Sequence, residues 1–308
     1  AVAAGNIGLP LCDVARQGTP PRWVALELSS FQLHDCPHVT PAIGALLNLA
    51  PNHLDRYATL EEYYGDKALL FRNADAGSLT ISNLDDEAVQ GMVAPVPGRH
   101  LRFSVTRRAD GWFDREVGWL MLDGERLLAR GELPLLGDHN VLNALTASLV
   151  ARELGGDVAT IAGGLRSFRA IEHRVEPVRE VGGVLWINDS KSTNVTSTAV
   201  AIAALDRPFV LLLGGRHKGE PYTRLAAAMG GRCRAVVAYG ESGDLVERDL
   251  GDLVPVRRAG TFEEVLATAR GLARAGDAVL LSPACSSYDM FDNYEHRGAV
   301  FRRLVEAF

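Results

Sequence analysis

The sequence predicts an α/β protein of two domains, the second of which is a doubly wound sheet with helices on both faces. The chain has 308 residues, and at roughly 150 residues per domain this length suggests two domains. After about residue 171, fully apolar strand candidates alternate with helix candidates. Such strands are typical of parallel sheets that are covered on both faces. Before that point the pattern is α/β with a β-rich insertion, so we place the domains at 1–170 and 171–308.

The first half contains apolar runs that are bounded by turn residues, which indicates strands. These runs lie at 23–28, 42–49, 78–82, 101–105, 118–122 and 126–129. Two helices are predicted in the same half. One covers 59–73 with Thr59 as its N-cap, and the other covers 137–154 and stops at a pair of glycines.

The second half gives a cleaner alternation of strands and helices. Strands are predicted at 184–188, 209–213, 235–239 and 278–282, and helices at 193–205, 222–229, 243–249, 262–275 and 291–307. In sheets of this kind ligands bind beyond the carboxyl ends of the strands. Polar residues follow five strand candidates over the two halves, so we expect a cleft between the domains.

Composition excludes several classes of protein. The chain is 47% hydrophobic and 23% charged, as in ordinary globular proteins. No apolar run approaches the ~20 residues that cross a bilayer, and a net charge of −6 argues against general nucleic-acid binding. Four scattered cysteines predict neither a disulfide scaffold nor a structural zinc site, so we expect a reducing, cytoplasmic location. The chain starts without methionine, and we expect it to be a piece of a longer protein.

Three residues of the first half could form a site for a hard cation. Glu27 lies near the end of a predicted buried strand, His53 follows the next strand, and Lys67 lies on the helix after it. A buried carboxylate is costly unless it is paired or binds a metal. Alternatives remain open, since Glu27 could form a strand-end salt bridge, His53 could be an ordinary loop histidine and Lys67 a solvated surface lysine.

Several segments of the second half suit an anion. The 188–194 segment joins a strand to a helix N-terminus and carries Lys191, and the glycine-rich 214–219 loop carries Lys218. Arg174 could clamp a phosphate, or it could be a surface linker residue.

In the first half, Asn140 or Asn143 could contact a base edge at the start of the 137–154 helix.

Taken together and in order, these motifs resemble the Mur ligase family, and within it the branch that adds D-glutamate. The matching segments span the chain from one end to the other. They are 5–10, 27–33, 53–57, 63–67, 137–143, 173–176, 188–194 and 282–291. The Ser-Ser-Phe-Gln, Asn-Asp-Ser-Lys and Ser-Pro-Ala-Cys blocks distinguish this branch from its relatives.

The resemblance implies an incomplete central domain of the Mur ligase ATPase type, followed by a Rossmann-like C-terminal domain that binds the amino acid. It implies an ATP- and Mg²⁺-dependent ligase of peptidoglycan synthesis that acts as a monomer on UDP-N-acetylmuramoyl-L-alanine and D-glutamate. The acceptor carboxylate would become an acyl phosphate, from which the amine of D-glutamate displaces phosphate.

The resemblance also implies roles for individual residues. Glu27, His53 and a carbamylated Lys67 would hold the metal, with His53, Lys67 and Lys191 counted as catalytic. The nucleotide would be bound by Asn140, Asn143, Arg174 and Asp189. Along the muramyl substrate would lie Asn6, Ser29 and Gln32. D-Glutamate would be framed by Lys191, Thr193, Lys218, Ser287 and Tyr294, and Tyr288 is also counted as substrate-binding.

Two departures from the family pattern stand out. The phosphate-binding loop Gly-Thr-Asn-Gly-Lys-Ser/Thr and the UDP-binding domain are expected upstream of Gly5, so the chain alone is not expected to turn over. Tyr288 and Tyr294 stand where leucine and phenylalanine are more familiar. A catalytically dead binding module and a related ligase such as folylpolyglutamate synthase remain alternatives.

Overall fold

The computed structural model describes residues 1–51 and 56–308. The chain forms two compact units. The first comprises 1–130 and 142–162, and the second comprises 131–141 and 163–308. The predicted boundary between residues 170 and 171 stays a prediction.

The first unit is built on a six-stranded sheet with the order β3-β4-β5-β6-β7-β8. Its strands are β3 Ile43–Leu46, β4 Leu79–Asn83, β5 Arg99–Ser104, β6 Gly111–Asp114, β7 Trp119–Leu122 and β8 Glu125–Ala129. Strands β3 to β6 run parallel and β6 to β8 form an antiparallel meander. The sequence did not predict β6, because a four-residue run with glycine and aspartate at its ends is a weak strand signal.

Six α-helices lie between residues 11 and 167 of the described chain. They are α1 Leu11–Arg16, α2 Ser30–Asp35, α3 Leu60–Ala68, α4 Glu87–Val93, α5 Asp138–Glu153 and α6 Val158–Ser167, and a 3₁₀ turn Leu69–Phe71 follows α3. As predicted, the Thr59 side chain caps α3 by accepting a hydrogen bond from the backbone N–H of Glu62 at 3.2 Å. Leu46, Phe71 and Val89 belong to one buried cluster.

Two further strands of the first unit form a small parallel sheet of their own. They are β1 Val2–Gly5 and β2 Val24–Glu27. Among the described residues β2 pairs only with β1, which leaves Val24, Ala25 and Glu27 exposed. The prediction of a buried strand at this place is therefore wrong for the described structure, although the strand itself is present.

The second unit contains a six-stranded sheet with the order β13-β12-β11-β14-β10-β9. Its strands are β9 Glu176–Val181, β10 Val184–Asn188, β11 Phe209–Gly214, β12 Cys233–Tyr239, β13 Val256–Arg258 and β14 Ala278–Leu281. All pair in parallel except β9, which runs antiparallel to β10 at one edge. The sequence did not predict β9, whose signal is the two-residue turn Gly182-Gly183 with φ of 59° and 75°.

Helices lie on both faces of this sheet, which confirms the doubly wound α/β prediction. They are α7 Val195–Ala203, α8 Ala226–Met229, α9 Gly243–Leu250, α10 Phe262–Leu272 and α11 Tyr294–Glu306, with a 3₁₀ turn Tyr222–Leu225 before α8. Successive residues of β11 alternate between two buried clusters: Leu211 and Leu213 face one, and Val210 and Leu212 face the other. This alternation is the packing that a strand covered on both faces requires.

Over residues 1–51 and 56–308, no helix combines the length and the apolar character that a bilayer crossing demands.

The turn after β11 passes unusually close to the segment after β14. Gly214 and Gly215 have φ of 153° and 131°. A Cβ on Gly215 would lie 2.3 Å from the carbonyl oxygen of Ser286, whereas a Cβ on Gly219, at φ 94°, would meet nothing within 4 Å. Gly215 is therefore required by contact as well as by backbone conformation.

We expect Gly215→Ala to destabilise the protein more than Gly219→Ala does. Both changes place a side chain at positive φ, but only the first pushes against backbone, which should cost about 1–3 kcal/mol more. Calorimetric unfolding of the two variants measures the difference. Equal losses would contradict the close approach.

Candidate functional site

Three neighbouring strands of the second unit deliver polar loops to one edge of the sheet. β11, β14 and β10 lie side by side and run parallel. Their carboxyl ends therefore meet, and the segments that follow them carry Lys218, Ser287 and Lys191. This brings together the residues that the resemblance assigns to the amino-acid substrate.

Each of the two lysines in this group has a hydroxyl-bearing neighbour. Lys218 Nζ donates to Thr193 Oγ1 at 3.2 Å. Lys191 Nζ lies 3.5 Å from the hydroxyl of Tyr294 and 5.4 Å from the centre of its ring. Both lysines are exposed, so their ammonium groups are accessible to an anion.

Ser287 and Tyr288 differ sharply in exposure. Ser287 is buried and Tyr288 is 65% exposed. The backbone carbonyl of Ser287 accepts bonds from the N–H groups of Met290 and Phe291, which fixes the turn before α11. Tyr288 therefore presents its ring to solvent beside a rigid turn.

Asp189 joins three chain segments at the end of β10. Its Oδ1 accepts a bond from the Val175 N–H at 3.1 Å, and its Oδ2 accepts one from the Ser282 hydroxyl at 2.7 Å. Burial raises the pKa of this carboxyl to about 6, although these bonds and Arg174 oppose the rise. The carboxyl thus organises the loop that holds Arg174.

Arg174 is exposed between two residues in a left-handed backbone conformation. His173 has φ of 64° and Val175 has φ of 44°. Such conformations cost about 1–3 kcal/mol each in non-glycine residues and persist only where the surroundings impose them. Here Glu176 accepts the N–H of His173 at 3.0 Å, and Asn188 Nδ2 lies 2.9 Å from His173 Nδ1.

Arg297, which the sequence motifs did not single out, is fully buried on α11. Its guanidinium donates to the hydroxyl of Ser190 at 2.9 Å, to the carbonyl of Ser190 at 2.7 Å and to the carbonyl of Cys285 at 3.2 Å. It therefore ties the loop of Lys191 to the loop of Ser287. The available signal was a charged residue on the same helix face as the buried Phe301 and Val305.

In the first unit, four of the predicted residues form two hydrogen-bonded pairs, Asn6 with Glu27 and Ser29 with Gln32. Asn6 Nδ2 donates to Glu27 Oε1 at 3.0 Å. Ser29 and Gln32 form a capping box at the start of α2, with bonds of 3.2 Å and 2.9 Å between side chains and backbone. The Ser-Ser-Phe-Gln block thus has a local structural role, and contact of these residues with a substrate stays a prediction.

The predicted metal site is only partly described. Lys67 lies on α3 with Nζ 5.1 Å from the centre of the Tyr63 ring, and His53 lies outside the described residues. Within 1–51 and 56–308 no group of three or more His, Cys, Asp or Glu side chains is arranged to hold a metal ion. The ammonium of Lys67 does not suit a cation, but the exposed carboxylate of Glu27 does.

The two asparagines predicted to face adenine lie one turn apart on α5. Asn140 Nδ2 donates to the carbonyl of Leu136 at 2.8 Å. This bond is an N-terminal anchor of the helix, and contact of either asparagine with a nucleotide stays a prediction.

Comparisons with known proteins identify two family domains in the chain. Residues 6–151 match the Mur ligase middle domain, and residues 173–285 match the Mur ligase glutamate ligase domain. The UDP-N-acetylmuramoylalanine–D-glutamate ligase of Salinibacter ruber is 42% identical over 99% of this chain and 69% of its own length. That of Myxococcus xanthus is 39% identical over 98% of this chain and 68% of its own. The chain spans about two thirds of the length of these curated relatives.

Solved structures agree on the fold. The structure of a UDP-N-acetylmuramoyl-L-alanyl-D-glutamate–2,6-diaminopimelate ligase gives a TM-score of 0.69 at 20% identity, covering 96% of this chain and 66% of that one. A MurF ligase of Thermotoga maritima in complex with ADP gives 0.63 at 18% identity, covering 94% and 69%. These matches, with the identity to the curated relatives, confirm the resemblance seen in the sequence. The chain belongs to the Mur ligase family.

Proposed function

We propose that the protein containing this chain joins D-glutamate to UDP-N-acetylmuramoyl-L-alanine in the cytoplasm, using ATP and Mg²⁺, and acts as a monomer. The names of the curated relatives support this reaction over the folylpolyglutamate alternative. The observation that carries the proposal is the placement of two exposed lysines beyond parallel strands of the second unit, Lys218 bonded to Thr193 and Lys191 beside Tyr294.

The distribution of lysine supports the same assignment. Of the 32 lysine and arginine residues, three are lysines, so 29 are arginines. The three are Lys67, Lys191 and Lys218, all of them residues that the resemblance places at the site. Arginine can replace lysine as a surface charge but not as a primary amine that forms a carbamate, nor as a compact point charge.

D-Glutamate fits the amino-acid end of this site by charge. Its two carboxylates need cationic or hydroxyl donors, and Lys218 and Lys191 are exposed cations at the same sheet edge. A charge-assisted bond to a carboxylate is roughly twice as strong as a neutral one. Thr193 already holds the ammonium of Lys218 by its hydroxyl, and buried Ser287 lies on the adjoining loop.

The residues for nucleotide and metal are proposed by resemblance and by donor chemistry. A MurF ligase of the same fold is solved in complex with ADP, which supports nucleotide binding. By the resemblance, Asn140, Asn143, Arg174 and Asp189 would bind ATP. Magnesium would be held by Glu27, His53 and Lys67, the last as a carbamate that supplies oxygen. When bound, the metal neutralises phosphate charge.

The reaction then proceeds in two displacements. A carboxylate oxygen of the acceptor attacks the γ-phosphorus of ATP, and ADP leaves with the bridging oxygen. The amine nitrogen of D-glutamate next attacks the acyl carbon, loses a proton and expels inorganic phosphate. Both steps depend on positioning and charge neutralisation, so cations such as Lys191 matter more than a covalent nucleophile.

The direct test is an amino-acid panel with a full-length protein that carries this chain. We expect phosphate release from ATP and UDP-N-acetylmuramoyl-L-alanine to depend on D-glutamate and to fail with L-glutamate. Release that depends on another amino acid, or on none, would contradict the proposed function.

Lys218→Ala should raise the KM for D-glutamate roughly ten- to a hundred-fold, because a charge-assisted contact contributes about 1.5–3 kcal/mol. The KM for ATP should change little. Arg216→Ala is the matched control, since it removes an exposed cation of the same loop that pairs with Glu241 at 2.9 Å. If both KM values of Lys218→Ala move together, Lys218 is not the carboxylate anchor.

Lys67→Ala should lose most activity and regain part of it when a short-chain carboxylate is added, because the added oxygen ligand replaces the carbamate. Lys67→Arg is the control, since it keeps the charge and the bulk but cannot be carbamylated. ¹³C NMR with labelled bicarbonate should show one carbamate signal that is absent in both variants. Near-normal activity of Lys67→Ala would refute this role.

A further inference from the structure

A buried chain of polar side chains connects the end of β14 to the loop of Lys218. The hydroxyl oxygen of Tyr222 lies 2.7 Å from Cys285 Sγ and 3.1 Å from His217 Nδ1. Ser242 Oγ lies 3.5 Å from the same sulfur. Tyr222 and Cys285 are fully buried and Ser242 is 3% exposed. His217 directly precedes Lys218, so this chain ends at the predicted anchor of D-glutamate.

The thiol and the phenol bond to each other in their neutral forms. Burial raises the pKa of Cys285, and it raises the pKa of Tyr222 well above its usual value. A neutral phenol can donate one bond and accept another. Whichever tautomer His217 adopts, the hydroxyl of Tyr222 can therefore form one hydrogen bond with the imidazole and another with the sulfur.

Backbone contacts hold the same loop from a second direction. The N–H of Arg216 donates to the carbonyl of Ser286 at 2.9 Å, and the N–H of Ser286 donates to the carbonyl of Arg216 at 3.2 Å. Arg297 in turn donates to the carbonyl of Cys285. Residues 285 and 286 thus form a fixed support, with Arg216 bound by backbone and His217 bound through Tyr222.

This support matters because the glycine-rich loop of Lys218 has many accessible backbone conformations when it is not held. Gly214, Gly215 and Gly219 surround the exposed Lys218, and glycine loses more conformational freedom on ordering than any other residue. A lysine side chain adds its own rotamer entropy when it is held in place. A network that orders the loop before substrate arrives lowers the cost of binding.

We propose that Cys285 and Tyr222 are positioning residues, which hold the His217–Lys218 segment in place for the amino-acid substrate. The inference rests on the proposed function for the identity of that substrate, but it concerns affinity for the amino acid and not the chemistry of ATP. The side chains of Cys285 and Tyr222 are both buried and would act on the substrate only through His217 and Lys218.

The test compares KM values for D-glutamate and ATP in a full-length protein that carries this chain. Cys285→Ala removes one bond of the network and should raise the KM for D-glutamate about fivefold, as expected for one hydrogen bond. Tyr222→Phe removes the bonds to both Cys285 and His217 and should raise this KM by about fivefold or more. The KM for ATP and kcat should stay within about twofold. Cys285→Ser keeps a hydrogen-bond donor and acceptor at the same place, and its KM for D-glutamate should equal that of the unaltered enzyme.

Cys233→Ala is the matched control. This half-buried cysteine lies on β12 of the same unit, and its thiol bonds to the carbonyl of Ala235 at 3.4 Å, outside the network. It should leave both KM values unchanged. Near-ultraviolet circular dichroism shows whether each variant is folded, and the comparison of Cys285→Ser with Cys285→Ala stands if Tyr222→Phe fails to fold.

Two results would overturn the proposal. Folded Cys285→Ala with an unchanged KM for D-glutamate would show that the network does not position Lys218. Equal rises in both KM values would show a general structural role. If the unaltered enzyme ligates a different amino acid, the proposed function fails on its own, and the same comparison is made with that amino acid.

Discussion

The buried guanidinium of Arg297 is the contact on which the arrangement of the second unit's loops depends. It lies on α11 and bonds to Ser190 and to the carbonyl of Cys285, so one side chain connects the loops that follow β10 and β14. A buried charge is costly to desolvate, and good geometry with several acceptors offsets that cost. Losing these bonds would weaken the connection between the loops of Lys191 and Ser287, which the N–H of Ala284 also joins by donating to the carbonyl of Ser192 at 3.0 Å.

Arginine and lysine have different roles in the structure. Arginines form the ion pairs that stabilise the second unit, such as Arg234 with Asp277 at 2.5 Å and Arg302 with Glu176 at 2.6 Å. The planar fork of arginine suits such paired acceptors. The three lysines instead lie at predicted site positions, where a compact ammonium or a reactive amine is required.

Strain is concentrated in the same region. His173 and Val175 adopt positive φ on either side of Arg174, and the surrounding bonds from Glu176 and Asp189 hold them there. The buried carboxyl of Asp189 is itself an unfavourable group, as its raised pKa of about 6 shows. Strained or destabilised groups of this kind cluster at binding sites and active sites.

Much of the fold could be predicted from local pattern alone. The apolar runs of β10, β11, β12 and β14 and the helices between them identify a doubly wound sheet, because period and burial are properties of each segment. Strand β9 was missed because its pairing is antiparallel and its residues are only half-buried, so it lacks that signature. The exposure of β2 was also missed, because burial of a strand depends on its neighbours in the sheet and not on its own residues.

The sequence by itself determined which residue types are available for chemistry: three lysines, a carboxylate at the end of β2, and glycines in the turn after β11. Only the tertiary structure decided how they are held. The bond of Arg297 to Ser190 and the Tyr222–Cys285 contact join residues that are 107 and 63 positions apart in the chain. These contacts form only when the parallel strand ends meet, and for this reason the sequence does not show which partners the supporting residues bind.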